Sequence, residues 1–133
     1  MQTGVSGGVG WGPYEECRKG GAIIITGHEH SYARTHLMDN IETQSISSTS
    51  NILKIGKGKT FVAVSGLGGR SIFGSSSGGP WWAAEYNSST NNLNFKEAFF
   101  CTFNENGVKN RAHCYFKNIV GQIQDDFYLE AQK

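Results

Sequence analysis

Long apolar runs are missing from this chain. No stretch approaches the roughly 20 residues that a membrane-crossing helix requires, so no membrane contact is indicated. An excess of one charge is missing too. Twelve lysines and arginines against eleven acids leave a formal net charge of +1. The basic residues are scattered among acids with no aromatic-basic cluster, which disfavours nucleic acid as a partner. Cysteine is limited to Cys17, Cys101 and Cys114, an odd number without metal-site spacing. A disulfide framework is therefore not expected, although Cys101 and Cys114 could face each other on paired strands. The opening MQTGVSGGVG has neither the basic start nor the apolar core of a signal peptide, and localisation stays open. Asn87-Ser88-Ser89 fits an N-glycosylation acceptor, which matters only for a secreted chain.

What is present fits one domain of 133 residues with ordinary globular composition. GPYEECRKGG reads as a short helix with its end signals in place: Pro13 in the first turn, Glu15 and Glu16 near the positive end, Arg18 and Lys19 near the negative end, and Gly20 or Gly21 as cap. Ala22–Ile25 has no polar alternation and reads as a strand covered on both faces, as in a parallel α/β sheet. From Asn51 onward strands and turns take over. NILKI and KTFVAVS, separated by GKGK, read as a hairpin. EAFFCTFN and KNRAHCYFKN read as another, across the strong Asn106-Gly107 turn. A last strand includes Phe127, Tyr128 and Leu129. Between these, SIFGSSSGGPWWAAEYNSSTNN is rich in Gly, Ser and Asn and reads as a long surface loop anchored by Trp81 and Trp82.

Two of the four histidines stand one residue apart in IIITGHEHSYART. In extended backbone, residues i and i+2 point the same way, so His28 and His30 would offer two imidazoles to one small region. Glu29 would point away and is not counted as a ligand. Gly27 lets the chain turn at the carboxyl end of the strand, where open α/β sheets generally place ligands. The spacing alone also fits a plainer arrangement, with one ring packed under a loop and the other solvated. Rival motifs fail on spacing. A zincin H-E-x-x-H needs a histidine where Tyr32 stands, and a cupin-like H-x-H needs a glutamate where Arg34 and Thr35 stand. GKGKT at Lys59 lacks the earlier glycine of a P-loop, because that position is Leu53, and reads as a turn.

GHEHSYART resembles the C-terminal G-H-x-H motif of the calcineurin-like metallophosphoesterases, and its tyrosine and arginine resemble the purple acid phosphatase branch. GWGPYEECRKGGAIIITGHEH is similar to the helix and strand leading into that motif. TFVAVSGLGG is similar to the strand and glycine turn after it, and AFFCTFNENG with CYFKNIVGQIQDDFYL to the closing hairpin. The resemblance implies an α/β to α+β, β-dominated fold, the C-terminal portion of an αββα four-layer sandwich. Residues 1–38 would carry the helix, buried strand and G-H-x-H motif, and residues 51–133 the antiparallel strands and loops of the second sheet. It also implies two divalent or trivalent metal ions of the Fe, Zn or Mn class, with His28 and His30 each on a different ion, and a phosphate-ester substrate attacked by activated water.

The family's other ligands lie in D-x-H, G-D-x-x-D and G-N-H motifs and a further upstream histidine. None occurs here, and Asp39, Asp125 and Asp126 stand in none of these patterns. The expectation is a C-terminal fragment, inactive alone, whose partner is the missing N-terminal half of the same domain. The alternative is a non-catalytic β-rich module without metal. Tyr32 and Arg34 are candidates for supporting the ligands or touching substrate, against packing and ion-pair roles. Gly66, Gly68 and Gly69 would form a tight turn beside the site, with backbone contact to phosphate as a lesser role. His36 and His113 read as structural.

Overall fold

A computed structural model describes residues 8–69, 71, 72, 78–89 and 96–132. The opening MQTGVSG, Arg70 and the parts of the expected loop at 73–77 and 90–92 lie outside the described residues.

Helix α1 spans Gly12–Gly20 and carries the features its sequence announces. Pro13 and Glu15 occupy the first turn, Arg18 and Lys19 the last, and Gly21 caps it at φ 73° by donating its N–H to the helix's final carbonyls. Arg18 pairs with Glu15 at 2.7 Å, and Tyr14 is buried beneath the helix.

The strands of the described residues are, in chain order, β1 Ile24–Thr26, β2 Tyr32–Thr35, β3 Leu37–Asn40, β4 Ser45–Ser48, β5 Ile52–Ile55, β6 Val62–Ser65, β7 Trp82–Tyr86, β8 Glu97–Phe103, β9 Arg111–Asn118 and β10 Ile123–Ala131. The fold is therefore β-dominated. One mixed sheet runs β1-β6-β2-β7, a second runs β5-β10-β9-β8, and β3-β4 form a small pair. β1 is parallel to β6, and β5 is parallel to β10.

Period-two alternation explains the layering. On β9, Ala112, Cys114 and Phe116 are buried while Arg111, His113 and Tyr115 look outward. From the first sheet, Phe61 and Ala63 pack against Leu53, Cys114, Phe127 and Leu129 of the second. Phe61 and Phe127 meet edge to face at 5.4 Å. Val62 points the other way and joins Tyr14, Ile24, Met38 and Trp81. Helix, first sheet and second sheet thus stack as three layers with a core in each gap.

Several expectations change. The GKGK turn closes, with Gly56 and Lys59 exchanging both backbone hydrogen bonds, but its flanking strands do not pair. β5 and β6 enter different sheets because Leu53, Ile55, Phe61 and Ala63 share one core from opposite walls. β6 and β7 join β1 and β2, so the division into 1–38 and 51–133 does not follow the sheets. Ile24 is buried, but Ile25 is 51% exposed, since β1 is the terminal strand of its sheet; the strand is not covered on both faces. WWAAEY is not all loop. β7 pairs with β2 from Tyr86 opposite Tyr32 to Trp82 opposite Thr35, while Trp81 is buried against the helix side. The expected β8–β9 hairpin forms, and it sets Cys101 opposite Cys114 at a Cα separation of 4.1 Å, where they form a disulfide. Only Cys17 is a free cysteine among the described residues.

Candidate functional site

His28 and His30 lie on the connection between β1 and β2, just past the carboxyl end of β1 and its parallel neighbour β6. That connection is not extended. Residues 28–31 form consecutive bends, and His28 adopts a left-handed φ of 75°, which non-glycine residues take up uncommonly. The same-side argument for the two rings, and the opposite-side argument for Glu29, therefore do not carry over to this backbone.

A neighbour shapes the bend. Gly66, directly after β6, donates its N–H to the carbonyl of Ser31 at 3.0 Å. A Cβ on Gly66 would stand 1.8 Å from the Glu29 carbonyl oxygen and 3.4 Å from the His30 Cα. Only glycine permits this approach, so the glycine turn is brought against the histidine motif. Gly68 and Gly69 are exposed, and a Cβ on either would meet nothing within 4 Å.

His28 is exposed and His30 half-buried. His28 borders a largely apolar cavity of about 380 Å³ shared with Pro13, Tyr14, Cys17 and Ile24. Both imidazoles can act as neutral ligands. Among the described residues, no group of three or more His, Cys, Asp or Glu side chains is arranged to hold a metal ion. The donor set fits a dimetal centre only in part: it offers two neutral donors and no carboxylate to offset cation charge.

Tyr32 and Arg34 go elsewhere. Both are buried, at 0% and 1% exposure, and both reach across to Asp125 of β10. The Tyr32 hydroxyl donates to Asp125 Oδ2 at 2.7 Å. Arg34 Nε donates to the same oxygen at 2.6 Å and Nη2 to Oδ1 at 2.9 Å, a two-pronged pair. Arg34 also lies over the Phe127 ring, 4.1 Å from its centroid. Tyr32 stacks on Phe116 at 3.7 Å. Burial, then the Asp125 carboxylate, push the Tyr32 phenol far above its usual range. The placement gives the expectation of substrate contact no support. These side chains tie one sheet to the other, and Arg34 is salt-bridged inside the protein rather than at its surface.

The remaining titratable groups divide clearly. Burial, then the Arg34 guanidinium, lower the pKa of His36. Burial pulls His113 down, but hydrogen bonds from its two ring nitrogens to Asp126 (2.8 Å) and Glu105 (2.9 Å) raise it overall. Glu97 is 4% exposed, its Oε2 has no hydrogen-bond partner among the described residues, and burial pushes it up to about 7. Asn87 is buried, with its Oδ1 accepting from the Ser89 N–H, so the acceptor asparagine is not displayed at the surface. Sequence reasoning missed Asp125 and Glu97; the signal for Glu97 was its position on the inward-facing set of β8.

Among the described residues no helix is long and apolar enough to cross a membrane. Comparison with protein-family models, with curated proteins and with solved structures gave no match.

Proposed function

We propose that His28 and His30 are metal ligands which this chain contributes to a two-metal phosphoesterase centre of the calcineurin-like, purple acid phosphatase kind. On this reading the β-rich body is the C-terminal part of an αββα sandwich. The observation that carries it is the GHEHSYART motif at the carboxyl end of two parallel strands, where α/β sheets gather ligands. The close approach of Gly66 supports it, because that contact fixes the bend bearing both histidines.

The substrate is a phosphate ester, and the acidic, asparagine and further histidine ligands belong to polypeptide outside these 133 residues. Bound metal ions of the Fe, Zn or Mn class would lower the proton affinity of water and offset phosphoryl charge. This chain's part is to hold two neutral imidazoles in place. Alone it binds ions weakly and hydrolyses nothing efficiently, since two neutral donors leave the cation's charge uncompensated.

A non-catalytic β-rich module is the second reading. It is favoured by the engagement of Tyr32 and Arg34 between the sheets rather than at the motif's surface. Titration with Zn²⁺ or Mn²⁺, followed through imidazole resonances, separates the two. The metal-site reading expects His28 and His30 to respond together, with each response weakened by alanine at the other position. Responses at His36 or His113 alone, or at none, would reject it. Metal-dependent hydrolysis of an aryl phosphate by this chain, lost in His28→Ala, would refute the claim that it is incomplete.

A further inference from the structure

The β5–β6 turn carries three lysines, Lys54, Lys57 and Lys59, all exposed. Elsewhere the basic side chains of this region have partners: Arg18 pairs with Glu15 and Lys19 with Glu16. Lys54, Lys57 and Lys59 make no ion pair with any described residue. They border two adjoining clefts of about 610 and 780 Å³ that share Lys54, Lys59 and Gln132. Among the described residues one carboxylate, Glu130, lines these clefts, against three ammonium groups. Hydroxyl-bearing Ser47, Ser48 and Ser50 complete one wall.

The turn is held in place. A Cβ on Gly21 would lie 2.6 Å from the Gly56 carbonyl carbon, so the end of α1 rests directly on the turn. Arg18 Nη1 donates to the Gly58 carbonyl at 2.7 Å, and the Gly58 N–H donates to the Arg18 carbonyl at 3.0 Å. Thr60 Oγ1 donates to the Ala22 carbonyl at 2.6 Å. These contacts fix the backbone that carries Lys57 and Lys59. An edge lysine discourages pairing with any strand that brings no acidic side chain to meet it, and Lys54 stands in that position on β5. Lys57 and Lys59 are on the turn, outside the strand, and that role does not reach them.

We propose that this lysine-lined cleft is a docking site for an acidic peptide segment of a protein partner, laid in extended form along β5. Charge complementarity selects the sign of the ligand: among the described residues three ammonium groups face one carboxylate, Glu130, which stands opposite Lys54 in the sheet and leaves Lys57 and Lys59 the excess. The peptide form follows from two features. β5 ends its sheet, paired on one side by β10; the Ile52 N–H is taken by Ser50 Oγ at 3.0 Å, and the rest of that edge offers main-chain groups to an added strand. Among the described residues neither cleft is lined by an aromatic side chain, so they give nucleobases nothing to stack on. The site is independent of the histidine motif.

The test uses the whole chain and a fluorescein-labelled peptide of alternating glutamate and valine, with anisotropy read at low and high salt. Saturable binding is expected, weakened at least tenfold in the triple variant Lys54→Gln, Lys57→Gln, Lys59→Gln and suppressed by salt. Amide exchange at Ile52–Ile55 should slow on binding. A control variant, Lys109→Gln with Lys117→Gln, should bind as the wild type does, and thermal melts check that both variants are folded. Equal loss in the control, no loss in the triple variant, or no protection at β5 would each overturn the proposal. Tighter binding of a single-stranded oligothymidylate than of the peptide would overturn the choice of ligand class.

Discussion

Glu97 should make this protein lose stability as pH rises from 4.5 to about 7, and Glu97→Gln should remove that loss. The carboxyl sits at the start of β8, 4% exposed, with Oε2 unpartnered among the described residues. Its ordinary value is 4.5, and burial pushes it up to about 7. At about 1.4 kcal/mol per tenfold change in proton affinity, the difference is worth roughly 3 kcal/mol. The folded value is the higher one, so the folded chain holds the proton more tightly than the unfolded chain does. The contribution is complete below pH 4.5, is lost progressively between 4.5 and about 7, and is constant above that. Glutamine has the same shape and no proton to lose. The assay is urea unfolding of wild type and Glu97→Gln at intervals from pH 4.5 to 8.5. The variant's relative stability should rise by roughly 3 kcal/mol across that range. Groups common to both chains cancel in the comparison. A gap that stays constant within about 0.5 kcal/mol, the usual scale of a neutral surface change, would refute the assignment.

Four further substitutions test individual positions. Asp125→Ala removes both carboxylate oxygens from Arg34 and Tyr32 and should cost roughly 3–5 kcal/mol in chemical unfolding, because it strands a buried guanidinium; a loss below about 1 kcal/mol would count against the inter-sheet role. His113→Gln should destabilise the chain at low pH and matter less as pH rises. The folded value of His113 lies above 6.5, so its stabilisation is full below 6.5 and fades through the folded value; the check is the wild-type minus variant difference against pH. Gly66→Ala should cost about 1–3 kcal/mol by forcing a methyl group onto the Glu29 carbonyl and should shift the His28 and His30 imidazole signals. Gly68→Ala, with open space around it, should change stability by no more than about 0.5 kcal/mol.

Local signals were legible where one segment decides its own conformation. Helix α1 follows from Pro13, the paired charges and Gly21, and the β8–β9 hairpin follows from Asn106-Gly107. Partner choice was less legible. Alternation in NILKI and KTFVAVS tells which residues turn inward, but two strands facing each other across a core have the same pattern as two lying side by side. β7 was hidden because WWAAEY lies in a Gly- and Ser-rich stretch, and pairing with β2 outweighs that composition. Arg34 and Asp125 are separated by 91 residues, and a charged residue on a strand reads by default as exposed.

The candidate site shows the same division at finer scale. That the histidines follow β1 at its carboxyl end was readable from the apolar run and Gly27, since a strand and its exit are local properties. How the two rings are directed was not readable, because the bend at His28 to Ser31 is shaped from outside by Gly66, more than thirty residues on. A pattern such as G-H-x-H fixes which donors are present, while their direction depends on the backbone packed against them. The opposite holds for Glu97. Period two places it with Phe99 and Cys101, both packed at the core, so its burial was written in EAFFCTF. What the strand could not encode was whether a partner would meet the buried carboxyl, and the unpartnered Oε2 shows that none does among the described residues. Burial eases the conflict between an inward position and a charged side chain by favouring the protonated form below about pH 7.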